Sequence, residues 1–111
     1  VSALVVSGLP TSSFLYLGFL PRTPSKRQRI LSAVKNQPYT IVMFEAPHRL
    51  LESLDELLEI LGNRPIAIAR ELTKMHEEIW RGTIEEALDY FEENPPRGEC
   101  TLVIAGLWLS F

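Results

Sequence analysis

TIVMFEAPHRLLESLDELLEILG, residues 40–62, reads as a buried strand, a polar corner and a long amphipathic helix. Thr40 to Phe44 is a short apolar run without polar alternation, which predicts a strand covered on both faces. Leu50, Leu51, Leu54, Leu57, Leu58 and Leu61 recur at helical spacing, and Gly62 is placed to close the helix. Pro47 suits the first helical turn, where no backbone donor is required. Between strand and helix stand Glu45, His48 and Arg49. In open α/β sheets, ligands bind outside the carboxyl ends of strands, so this corner is where chemistry is expected. It admits two readings. In one, Glu45 accepts hydrogen bonds from a ligand and Arg49 grips a phosphate or carboxylate. In the other, Glu45 caps the following helix and Arg49 pairs with it.

Outward from this unit, Val1 to Ser7 reads as the end of a helix, stopped at Gly8 and Pro10. The absence of a cap at residue 1 suggests a chain cut from something longer. Phe14 to Phe19 is the first strand. Thr23 is placed as N-cap and Pro24 as the first residue of a helix running to about Asn36. Ile30, Leu31 and Val34 mark its buried side; Lys26, Arg27, Arg29 and Lys35 mark the rest. After Gly62, Ile66 to Ala69 is a third buried strand with a polar tip of Arg70, Glu71, Thr73 and Lys74. Glu77 to Gly82 alternates, as a half-exposed edge strand does. Thr83 and Glu86 form a capping box ahead of a helix that turns Ile84, Ala87, Leu88 and Phe91 inward. Thr101 to Ala105 is the last strand. The apolar tail, Gly106 to Phe111, has no assigned role and suits packing on a neighbouring domain. The order β-α-β-α-β-β-α-β predicts a three-layer α/β domain with a mixed five-stranded sheet.

A chain of 111 residues is long enough for one domain with a real core. No apolar run spans a bilayer, and residues 1–8 lack a signal-peptide pattern. A single cysteine, Cys100, fits a reducing, cytoplasmic setting. Charge is divided unevenly. Residues 1–49 hold six Lys/Arg and one Glu, a net of +5; residues 50–111 hold five Lys/Arg and thirteen Asp/Glu, a net of −8. A polyanion would meet the first half. Arg22, Lys26, Arg27 and Arg29 form a run without an acid, either an exposed helix face or a set of phosphate contacts. His48 and His76 lack metal-ligand spacing, so no metal site is expected. Trp80 and Trp108 are read as packing residues. The residues by themselves give half of a ligand site on an α/β domain.

SGLPTSSFLYLGFLPR (7–22), MFEAPHRLLESLDEL (43–57), RPIAIARELTKMHEEIWRGT (64–83) and RGECTLVIAG (97–106) resemble the second domain of the ribosomal RNA small subunit methyltransferase I family. That family is similar to the tetrapyrrole methylases. It transfers a methyl group from S-adenosylmethionine to a cytidine ribose 2′-hydroxyl of 16S rRNA. The resemblance runs from Ser7 to Gly106 in order. It implies that residues 1–111 are one domain, the second of a two-domain methyltransferase whose glycine-rich first domain is missing. It also implies the strand order 1-2-5-3-4, with the fourth and fifth strands antiparallel to the others, a homodimer, and the small ribosomal subunit or its RNA as partner. Glu45 and Leu72 fall where tetrapyrrole methylases contact the cofactor, and Phe44, Cys100 and Thr101 are expected to line the same cleft. Arg22, Lys26, Arg27, Arg29, His48 and Arg49 are the RNA-facing candidates. Glu45 or His48 is the candidate base. A non-catalytic RNA- or anion-binding module, and a tetrapyrrole methylase acting on a porphyrinoid, remain as alternatives.

Overall fold

The computed structural model describes residues 14–73 and 76–107. Five strands make one sheet: β1 (Phe14–Phe19), β2 (Thr40–Glu45), β3 (Pro65–Thr73), β4 (His76–Thr83) and β5 (Cys100–Ile104). Their spatial order is β1-β2-β5-β3-β4. β1 and β2 are parallel, β5 is antiparallel to both of its neighbours, and β4 is antiparallel to β3. β1, β2 and β3 therefore run one way and end at one edge of the sheet. Both the order and the strand directions are those the resemblance implied.

Three helices complete the described chain: α1 (Pro24–Val34), α2 (Leu50–Leu61) and α3 (Ile84–Glu93). Period-two alternation splits the strands between two faces. Ile41, Met43, Ile66, Ile68, Leu102 and Ile104 face the helices, and they pack with Leu31 of α1, Leu54 and Leu57 of α2, and Phe91 of α3. Each such side chain contributes about 1.5–3 kcal/mol on burial. The residues between them, Val42, Ala67, Ala69 and Val103, form a smaller buried cluster on the opposite face. The three described helices thus share one side. The helix expected at Val1 to Ser7 and the tail beyond Leu107 lie outside the described residues.

Local signals behave as their chemistry requires. Thr83 accepts from the Glu86 backbone while the Glu86 carboxylate accepts from the Thr83 backbone, closing the capping box. Thr23 occupies the N-cap of α1 but makes no side-chain cap bond there. Gly62 ends α2 at φ 89° and ψ 176°, a region open essentially to glycine alone.

Two strand boundaries differ from expectation. The sequence ends the third strand at Ala69, whereas β3 continues to Thr73 and β4 begins at His76. β5 extends no further than Cys100, opposite Arg70. Beyond that point β3 and β4 form a two-stranded ribbon, so its polar composition reads as a turn. In β1 the pairing slips between Tyr16 and Gly18. Gly18 takes φ 62°, which glycine adopts without steric cost. Tyr16 lies opposite Val42 ahead of the slip and Phe19 opposite Phe44 after it, so both rings fall on the face away from the helices.

Candidate functional site

At the carboxyl end of β2 the sheet carries a row of polar side chains on its helix-facing side. Glu45 lies opposite Cys100, Cys100 opposite Arg70, and Arg70 opposite Glu78. Glu45 is only 5% exposed. Its Oε1 accepts from the Ala46 backbone N–H at 3.0 Å. Its Oε2 accepts from the Ser53 hydroxyl and, at 3.4 Å, from Arg27 Nη2. Arg27 also donates from Nε and Nη2 to Glu56 Oε1, at 3.0 and 2.8 Å, and from Nη2 to Ser53 Oγ at 3.1 Å. Burial opposes the charge on Arg27, but its pairing with Glu56 and Glu45 outweighs that and raises its pKa. One cluster thus ties α1, β2 and α2 together directly beneath the corner.

This cluster corrects two expectations. Arg27 was expected on an exposed basic face with Arg22, Lys26 and Arg29. Those three are exposed, but Arg27 is buried at 6%. It stands four residues before Leu31 and seven before Val34, on the same helical stripe, and the spacing itself carried that signal. Ser53 was missed in the same way, three residues after Leu50 and four before Leu57. The pairing of Glu45 with Arg49 is also replaced, since Arg27 takes that carboxylate. Arg49 instead lines a recess with Pro24, Arg27, Glu52, Ser53 and Glu56. His48 is exposed on the turn between β2 and α2.

The side chains expected to line one cleft divide between the two faces. Phe44 and Thr101 lie opposite each other, both half-buried, on the side away from the helices. Glu45 and Cys100 lie opposite each other on the helix side, and Cys100 is fully buried. Its thiol is pushed up to about 11, chiefly by burial; Arg70 works against the shift while Glu45 and Glu99 add to it. At neutral pH it is a protonated thiol and no nucleophile. Leu72 lies two residues past Arg70, where the backbone pairing slips between Glu71 and Thr73. Glu45 and Leu72 share the carboxyl edge of parallel-running strands. β5 lies between those two strands.

Arg70, expected at the polar tip beyond the third strand, lies within β3 and is buried. It is 8% exposed, donates to Glu78 at 2.7 Å and lies over the Phe91 ring at 5.4 Å. Its Nε is buried and has no partner among the described residues. The alternation Ile66, Ile68, Arg70 would have placed it. Arg64, likewise buried, donates to the carbonyls of Leu61 and Ala105 at the far end of the sheet. Among the described residues no three His, Cys, Asp or Glu side chains cluster as metal ligands do, and no helix is long and apolar enough to cross a membrane.

The family model of tetrapyrrole (corrin/porphyrin) methylases matches residues 2–88. Ribosomal RNA small subunit methyltransferase I of Thermotoga maritima is 49% identical over 95% of this chain and 47% of its own length. The protein of the same name from Bacillus subtilis is 45% identical over 96% of this chain and 36% of its own length. The chain therefore spans half or less of the curated relatives it matches. Among solved structures, cobalt precorrin-4 methyltransferase, a cobalamin biosynthetic enzyme, superposes with a TM-score of 0.65 at 19% identity, over 99% of this chain and 47% of that one. Uroporphyrin III C-methyltransferase from Thermus thermophilus gives 0.60 at 19% identity, over 92% and 46%. These two likenesses concern the fold.

Proposed function

The chain belongs to the tetrapyrrole (corrin/porphyrin) methylase family, and we propose that it is the second domain of a methyltransferase acting on the RNA of the small ribosomal subunit. The carrying observation is identity of 45–49% across 95–96% of the chain to proteins named ribosomal RNA small subunit methyltransferase I. In this reading the full-length protein is a cytoplasmic homodimer that methylates a cytidine ribose 2′-hydroxyl of 16S rRNA. The present chain supplies one wall of the cleft.

S-adenosylmethionine supplies an electrophilic methyl group, so the protein has mainly to position the reactants and exclude water. The carboxyl edge of the sheet fits such a cofactor. Phe44 offers a half-buried ring and Thr101 a hydroxyl across from it. Arg70, on the opposite, helix-facing side and over the Phe91 ring, lies apart from this pair. Glu45 serves from beneath: with both oxygens engaged and its side chain buried, it orients the corner and takes no proton from the substrate. Of the two candidate bases, His48 is the exposed one. The acid-free cations Arg22, Lys26 and Arg29 face the RNA, joined by His48 and Arg49.

The test is methyl transfer by the full-length protein from labelled S-adenosylmethionine, with small ribosomal subunits or a uroporphyrinoid as acceptor. Label is expected in a ribose of the RNA and not in the porphyrinoid. Labelling of the porphyrinoid alone would overturn the reading. This chain alone is expected to transfer nothing, because a cleft needs both walls.

A further inference from the structure

The sheet face turned away from the helices carries an aromatic group at its β1 edge, of which only Phe44 is employed above. Tyr16 and Phe19 are 60% and 57% exposed. Phe44 stands against both, with ring centroids 5.6 Å from Tyr16 and 5.5 Å from Phe19. The Tyr16–Phe44 pair is edge-to-face, at 77°. The group exists because of the slip at Gly18. Unbroken alternation would send Phe19 to the helix side with Leu17; instead Leu17 packs on the core and Phe19 joins Tyr16. The rings are fixed by backbone geometry and by one another, while their outer surfaces stay wet. Clustered exposed apolar surface with a polar rim marks an interaction site.

Charge decides the partner. From Phe14 to Arg49 there is a single acid, Glu45, and it is buried and paired with Arg27. The exposed charges of that stretch are cations: Arg22, Lys26, Arg29 and Lys35. Arg22 follows Phe19 by three residues, so an exposed cation stands at the same end of the sheet as Phe19 and Phe44, whereas Arg49 shares its recess with Glu52 and Glu56. Aromatic faces beside cations with no competing carboxylate are what unpaired bases and their phosphates require. We propose that Tyr16 and Phe19, with Phe44 as their floor, form a stacking platform for unpaired bases of an RNA strand whose phosphates meet Arg22. This rests on the reading of the substrate as RNA and adds where the strand is held.

The experiment measures binding of a short fluorescent single-stranded RNA to the full-length protein across a salt series. Tyr16→Ala and Phe19→Ala are each expected to weaken binding about tenfold, with an unchanged salt slope because no phosphate contact is removed. Tyr16→Leu and Phe19→Leu are expected to weaken it nearly as much, since leucine keeps apolar bulk without a π face. Arg22→Gln should flatten the slope. Tyr39→Ala, an exposed ring at the amino end of β2, should bind as wild type. Full RNA affinity in the two leucine variants would overturn the platform and leave an apolar docking surface. Full affinity in the alanine variants with a lowered melting temperature would instead assign the rings to packing against the rest of the full-length protein. A wild-type protein that binds no RNA would remove the RNA reading itself, a result distinct from wild-type binding that the variants retain.

Discussion

Arg27 carries its charge at any working pH, so the cluster around it depends on composition rather than titration. Removing one partner of a buried pair leaves the other charge buried and uncompensated. Arg27→Gln leaves Glu45 buried without its counter-charge, holding only the Ala46 and Ser53 donors, removes the cation from Glu56, and is expected to cost about 3 kcal/mol in a urea denaturation series. Glu45→Gln should cost less, because Arg27 keeps Glu56 at 2.8 Å. Equal costs would show that the pair with Glu45 dominates. Cys100 gives a pH-dependent counterpart. Its folded pKa, about 11, lies above the ordinary 9.0, so the folded state holds the proton more tightly. The associated stability is complete below about pH 9 and is lost as pH rises towards 11. Thiol-reactive dye should accordingly label the native protein slowly at pH 8 and rapidly only after unfolding. At this scale the sequence exposed the right corner and misassigned its charges. Glu45, His48 and Arg49 are adjacent in sequence, so their crowding was visible. Arg27, Ser53 and Glu56 reach Glu45 only through tertiary packing, and a lone arginine on a helical stripe is outvoted by three charged neighbours that face water.

At the scale of elements, α3 is the most locally determined piece, with its start fixed by Thr83 and Glu86 and its inner stripe by Ile84, Ala87 and Phe91. Thr83→Ala removes the hydroxyl that accepts from the Glu86 backbone and is expected to cost about 1 kcal/mol, read as a lowered midpoint in thermal melts. Thr83→Ser should restore most of it. Helices and buried strands were legible because their signals are short-range: apolar runs, helical spacing, caps and prolines. The ends of β3 and β4 were not, since a ribbon outside the five-stranded region has no core to impose an apolar pattern. The slip at Gly18 was illegible for a different reason. A glycine in a strand signals an irregularity, but only its partner strand reveals which side chains change face.

For the whole molecule, the order β1-β2-β5-β3-β4 was accessible through family resemblance alone, because periodicity says nothing of which strand lies beside which. The order has a consequence for synthesis. β1 and β2 are joined through α1, and β3 and β4 form a hairpin, so each pair can form from nearby residues. The two pairs meet in the sheet only through β5, which bonds to β2 on one side and β3 on the other. β5 is the last of the five strands to leave a ribosome. Until residues 100–104 clear the exit tunnel, the inner edges of β2 and β3 stay open, each able to recruit a stray strand. Translation therefore sets the earliest moment of folding, and a pause just before Cys100 would hold the nascent chain as two half-sheets at its most adhesive.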